Sequence, residues 1–381
     1  MRCRPACRYS LRLLRSLRFP DGLRIATPAS RRLFRANSAN VRVRRSVVAL
    51  SRETDFCTSF HIPMPTIRPL PNAVRSLAVP AQVNVNLIQW NYVISFAVMH
   101  ALAMLVFVPY FFSWSGVIAF WVGVVVFGQI GIPVCYHRQL THRSFKTPKW
   151  LEHFFVVLAL CSAQETPAKW VAWHRKHHGH SDEQEDPHTP LVNFLWAHIG
   201  WLCVKNRSKT PLSFYEKYSR DILQDPFYMY LERNWLAFGW IYLAHAAIYF
   251  FASWGISYAV LQDNAAALQM ALSLVVWGVL ARTVYVWHIT WSVNSLSHIF
   301  GYRNFSTDDH SRNNWFVALI TGGEGWHNNH HGDQAAASLQ TRWWEFDLNY
   351  YFIKCLERVG LATDVVPLAK HRRTPATSAN D

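Results

Sequence analysis

The sequence predicts an all-α integral membrane protein in which four transmembrane helices carry a cytoplasmic helical cap with a His-rich metal centre. Three observations lead there. Four long apolar blocks lie between residues 92 and 287, each near the ~20 residues needed to cross ~30 Å of hydrocarbon. The polar segments between and after them hold most of the chain's 19 His, nine of them in a clustered pattern. Hydrophobic residues make up 51% of the chain and 18 residues are Trp, which suits spans with interfacial indoles better than one soluble core.

The elements follow in order. Residues 1–55 are rich in Arg and Ser and poor in acids, with no sustained apolar block. A targeting segment, a solvated basic tail and a start codon placed too early all read this way. A cleaved secretory signal would need an apolar stretch that is missing here. Residues 56–84 form a linker marked by Pro63, Pro65, Pro69, Pro71 and Pro80. The membrane domain spans 85–340. Its first two spans, 92–112 and 117–134, are joined by the tight break 113–116, the mark of a helical hairpin. Phe154–Cys161 and Leu191–Val204 are apolar but short, so they are read as buried or interfacial helices. The third and fourth spans, 235–254 and 265–287, meet at Gln262, Asp263 and Asn264, with Arg282 near one end of the fourth. Residues 341–381 are read as a helix and tail. No internal repeat is visible.

Charge fixes the expected orientation. The short loops 113–116 and 255–264 contain no Lys or Arg, whereas 136–233 contains 13. The positive-inside rule places 136–233 in the cytoplasm, and four spans return the C-terminal region to that side. The global net charge of +15 comes from the N-terminus. Removing the 14 Arg and one acid of residues 1–52 from 38 basic and 23 acidic residues leaves 24 and 22. That balance offers no basic face for a nucleic acid. The seven Cys form no C-x-x-C pair, so neither a disulfide framework nor a thiolate zinc site is expected.

Nine His fall into a pattern. His137 and His142 follow the second span. His174, His177 and His178 form one H-x-x-H-H set; His327, His330 and His331 form another. Asn294 and His298 stand between the fourth span and the last set. Positions i, i+3 and i+4 share one helix face, so each triplet can aim three imidazoles at one point, and Asn294 and His298 are likewise co-facial. His137 and His142, five apart, need a helix end or bend to converge. Neutral imidazole suits Zn, Cu, Fe and Ni. Nine exceed one zinc site and suit a pair of iron ions with an open position. The full carboxylate set of soluble di-iron bundles, a Glu from each of two helices and a Glu-x-x-His from each of two more, is absent from these clusters. His61, His100, His153, His198, His245 and His371 are read as ordinary surface residues. His180 and His188 lie near the second cluster and are left open, the DPHTP run reading more readily as a turn.

These segments resemble the membrane fatty acyl desaturases, in particular the Δ9 type acting on acyl-CoA or acyl-lipid. The resemblance rests on HRQLTHRSF at 137–145, WHRKHHGHSD at 173–182, DPHTP at 186–190, NSLSHIFG at 294–301 and GEGWHNNHH at 323–331. It implies a di-iron centre whose ligands are His137, His142, His174, His177, His178, His298, His327, His330 and His331, with Asn294 holding a metal-bound water. It also implies O2 as co-substrate and a long saturated acyl chain as substrate, held in an apolar tunnel that Trp170, Trp173, Trp287 and Trp291 could line or merely flank. Electrons are expected from a separate donor of ferredoxin or cytochrome b5 type, since no such domain is appended. The segment GDQAAASLQ after the last box departs from the family, where an aromatic residue and Pro often follow.

A lipid or alkane hydroxylase on a related centre is the alternative, and NSLSHIFG with GEGWHNNHH favours the desaturase. A metal-binding transporter would call for intramembrane charged relays, and the spans before the clusters lack acids.

Overall fold

The computed structural model describes residues 76–206 and 212–369. The reading of residues 1–55, the first part of the linker, His61 and His371 lie outside them. The fold is helical. The described residues include four helices long and apolar enough to cross a membrane: Trp90–Phe107, Trp114–Thr141, Leu236–Leu261 and Asn264–His298.

The span ends differ from the expected ones for local reasons. The first closes at Phe107 in a 3-10 turn, and Pro109 opens a separate short turn beyond it. The second is capped by Ser113, whose hydroxyl accepts from the Gly116 amide at 2.9 Å. It then runs past residue 134 as a π-helix from Val124 to Thr141, with Pro133 inside it. Proline cannot donate to the ladder, and wider π winding is a common way around such a gap.

The third and fourth spans meet as expected. Gln262 adopts the left-handed conformation (φ 55°) and ends one helix, and the Asp263 carboxylate caps the next by accepting from the Ala265 amide at 2.8 Å. The fourth span is longer than expected. Its 35 residues reach about 50 Å at 1.5 Å per residue, well beyond the hydrocarbon thickness. Its last turns therefore leave the membrane and carry His298 into the cap. Arg282 consequently lies inside the helix and is fully buried. It donates to the carbonyls of Cys161 (2.8 Å) and Gly278 (3.1 Å) and lies 3.2 Å from His245 Nε2.

The cap is built on the second span. Helix Lys149–Leu160, the expected short apolar helix, packs its buried face on the π segment. At Gly131 the approach is so close that a Cβ would lie 2.7 Å from the Ala159 Cα. Helices Pro167–Gly179, Pro226–Arg233 and Leu348–Arg358 complete a core around Tyr136, Phe155, Val171, Leu231 and Ile353. A two-stranded ribbon, β1 (Val83–Ile88) against β2 (Val204–Asn206), ties the start of the first span to the cap.

Candidate metal centre

The nine clustered His meet in the cap in two groups. His137, His142, His174, His178 and His330 form one; His177, His298, His327 and His331 form the other. Within each group one ring nitrogen per residue lies within 4.8 Å of all the others. Sequence spacing left the division open; the folded chain makes it five and four. Both H-x-x-H-H sets are split, so each helix serves both groups.

Local winding explains the convergence. Helix Pro167–Gly179 carries His174, His177 and His178, and helix His327–Gly332 carries the other triplet. His137 and His142 meet because the second span ends in π winding, where i and i+5 align. The His142 amide donates to the His137 carbonyl at 3.1 Å, the defining bond of that winding.

The donor set fits metal ions. The Nε2 of His330 lies 2.9 Å from those of both His137 and His178, and the Nε2 of His178 lies 3.0 Å from that of His174. In the other group the Nε2 atoms of His298 and His327 are 3.1 Å apart. Carboxylates fix several tautomers from behind. Glu324 accepts from His137 Nδ1 at 2.6 Å, Asp186 from His177 Nδ1 at 3.0 Å, and Asp182 from His298 Nδ1 at 2.7 Å; Asp309 accepts from His331 Nδ1. Each of these rings then presents an Nε2 lone pair inward. The Nε2 atoms of His142, His177 and His331 are buried without a protein partner. Inward lone pairs, orphaned buried nitrogens and carboxylates behind the rings are the pattern of histidines built to hold metal.

Electrostatics agree. Burial, reinforced by repulsion from neighbouring imidazoles, holds His142, His174, His178, His327 and His330 well below the usual imidazole pKa. Burial likewise lowers His331 to about 4, although Asp309 opposes it. Neutral imidazole is the form that binds metal. Burial pushes the Asp182 carboxyl up, but His298 and hydrogen bonds from the His310 amide and Thr189 outweigh it, and the net shift is downward.

The sequence reading did not single out these four carboxylates. Asp182 and Asp186 sit in the quoted HGHSD and DPHTP segments and Glu324 in GEGW, so the signal lay beside the His. Asp309 has no such flag. Arg138 was missed as well. It is fully buried and donates to Glu324 (2.6 Å) and Asp347 (2.9 Å), tying the first box to the last.

Of the His read as surface residues, none among the described ones is free. His245 is buried beside Arg282. His153 pairs with Asp225 at 2.9 Å. His100 and His198 flank His288, each 3.0 Å from one of its ring nitrogens. His188 is buried with its ring 4.4 Å from that of His177, while His180 pairs with Glu183 at 3.1 Å and joins neither group.

A mainly apolar cavity opens against His137, His174 and His327, walled by Ile132, Val286, Ile289 and Val293 of the second and fourth spans. Asn294 lines it too. Of the four tryptophans considered, only Trp170 lines it, stacked on His174 at 5.0 Å; Trp287 and Trp291 pack against Phe96, and Trp173 against Phe214. The Gln164 amide donates to the Thr290 hydroxyl at 3.0 Å near this wall.

Residues 114–347 match the fatty acid desaturase family model. The chain belongs to the fatty acid desaturase family. It is 38% identical over 297 residues to an sn-1 stearoyl-lipid 9-desaturase of Synechocystis sp., covering 78% of this chain and 83% of the relative. It is 39% identical over 295 residues to an sn-2 palmitoyl-lipid 9-desaturase of Nostoc sp., covering 75% and 93%. An acyl-CoA 5-desaturase of Anemone leveillei is 40% identical over 269 residues, covering 70% and 76%. This desaturase is therefore an oxidoreductase acting on fatty acyl chains, with helices suited to a membrane and a His-built metal site.

Proposed function

We propose that this desaturase introduces a cis double bond, at Δ9, into a long saturated acyl chain carried on CoA or a glycerolipid, using O2 and a separate ferredoxin- or cytochrome b5-type donor. The observation that carries the reading is the meeting of two His groups, five and four, with the mouth of an apolar cavity. The 9-desaturases among the relatives support the position and the lipid carrier; the acyl-CoA relative keeps CoA in play.

The nine His are proposed as ligands of two iron ions, with Asn294 holding a metal-bound water. Zinc offers no redox chemistry, and bound iron would supply the oxidising power that unactivated C–H bonds require. The chain's own residues do the rest. Ile132, Val286, Ile289 and Val293 exclude water and hold the methylenes in line. Trp170, stacked on His174, forms a rigid wall where the chain passes the centre. Asp182, Asp186, Asp309 and Glu324 hold imidazole protons at Nδ1 and so keep Nε2 free. Overall, two hydrogens leave adjacent carbons, and O2 takes up these, two electrons and two protons to become two waters.

The test is expression in a host lacking monounsaturated fatty acids, with lipid analysis and iron determination on the purified protein. A Δ9 cis monoene and two irons per chain are expected. A hydroxylated lipid, or iron replaced by zinc in an active preparation, would overturn the reading.

A further inference from the structure

Resting on the desaturase reading, each double bond requires two electrons to cross the protein from a carrier outside it. Tunnelling falls steeply with gap width, so packed rings between surface and centre are where such a route belongs. Among the described residues, aromatic rings leave the nine-His cluster by two exits only. One is Trp170, whose next ring is Tyr136 at 5.8 Å. Tyr136 is fully buried and meets no further ring among the described residues, and Trp170 itself lines the acyl cavity. That exit ends inside the protein, where the acyl chain belongs.

The other exit is His188. From its ring, 4.4 Å from His177, the next is Trp201 at 5.1 Å. Trp173 follows at 5.8 Å, Phe214 at 4.7 Å and Tyr218 at 5.3 Å. Phe214 and Tyr218 line an open depression on the cap together with Lys176, Lys217, His180 and Glu185. The exit thus runs from a group of four His to a depression where Lys217 is exposed and the buried Lys176 lies 3.9 Å from Glu185.

We infer that His188, Trp201 and Trp173 form the path by which a one-electron carrier protein, seated by an acidic face over the depression beside the exposed Lys217, reduces the metal pair through His177. No bond in the path residues is made or broken. The carrier is oxidised by one electron and the centre reduced by one, twice per double bond.

The test uses the metal-loaded full chain and whichever of reduced [2Fe–2S] ferredoxin or reduced cytochrome b5 is oxidised faster by wild type. Anaerobic stopped-flow follows carrier oxidation, and titration gives the carrier Kd. In Trp201→Leu, carrier oxidation should slow about tenfold or more with iron content unchanged, and Trp201→Phe, which keeps a ring, should recover most of the rate. In Lys217→Glu, the carrier Kd should rise about tenfold and lose much of its salt dependence. Wild-type carrier oxidation in Trp201→Leu overturns the route, as does slowing that tracks lost iron in both Trp201 variants. An unchanged Kd in Lys217→Glu overturns the docking surface. Enzyme reduced with dithionite and then given O2 bypasses the carrier. Failure of wild type to form a double bond there would refute the desaturase reading itself, independently of the route.

Discussion

Replacing Asp182 by Asn exchanges one carboxylate oxygen for an amide nitrogen and leaves the side-chain volume unchanged. Asp182 is held in the left-handed conformation (φ 59°), which Asn tolerates, so the loop should keep its shape. Three donors converge on this carboxylate: His298 Nδ1 (2.7 Å), the His310 amide (2.8 Å) and the Thr189 hydroxyl (2.8 Å). His310 and His298 share Oδ2, so an amide placed there meets two donors, and turning the amide over meets Thr189 instead. Either way one proton faces another. Loss of a carboxylate behind a metal-binding imidazole lowers metal affinity by about 10–100-fold, or ~1.4–2.7 kcal/mol. The effect should fall on the group His177, His298, His327 and His331 and spare the five-His group. Iron remaining per chain, measured against rising chelator, should show two steps, with only the weaker one displaced in the variant. Overlapping curves for variant and wild type would refute the view that Asp182 tunes this group.

Three further outcomes follow. Arg138→Met leaves the buried Glu324 and Asp347 carboxylates without their common cation; it should lower stability by about 3–5 kcal/mol, read as a fall in the thermal midpoint in detergent, and an unchanged midpoint contradicts the network's role. Val293→Phe places a ring in the cavity wall; kcat/KM should fall about 100-fold at constant iron content, and normal kinetics would remove this cavity as the acyl site. Asp221→Asn removes the anion between Arg175 and Arg143, at about 1 kcal/mol because all three side chains are partly exposed. Burial pushes the Asp221 carboxyl up, but hydrogen bonds and charge from the two Arg bring it below its usual value. Its contribution is therefore present above about pH 4 and fades as pH falls through the lowered value; a stability gap between variant and wild type that is constant down to acid pH contradicts this.

Much of the site was legible because its chemistry follows helix periodicity. His174, His177 and His178 share a face by spacing alone, as do His327, His330 and His331. The pairing of His137 with His142 was not, since it depends on π winding around Pro133, which no 3.6-residue pattern encodes. The division into five and four was hidden too, because His330 crosses to His137 while its neighbour His331 meets His177 and His298. The carboxylates behind the rings arise from closure over long separations, such as Asp182 on His298 and Glu324 on His137. Span number and order followed from apolar length. Span ends did not, because the fourth helix keeps winding after it leaves the hydrocarbon, which is also why Arg282 is buried rather than near an end.

The most direct test of the central claim feeds stearate deuterated at carbons 9 and 10 to the expressing host and examines its lipids by mass spectrometry. A cis-9 monoene that has lost one deuterium from each of the two carbons is expected, and no such product with His330→Ala. A hydroxylated chain that has lost a single deuterium, or an unchanged yield of monoene in the His330→Ala variant, would contradict that claim.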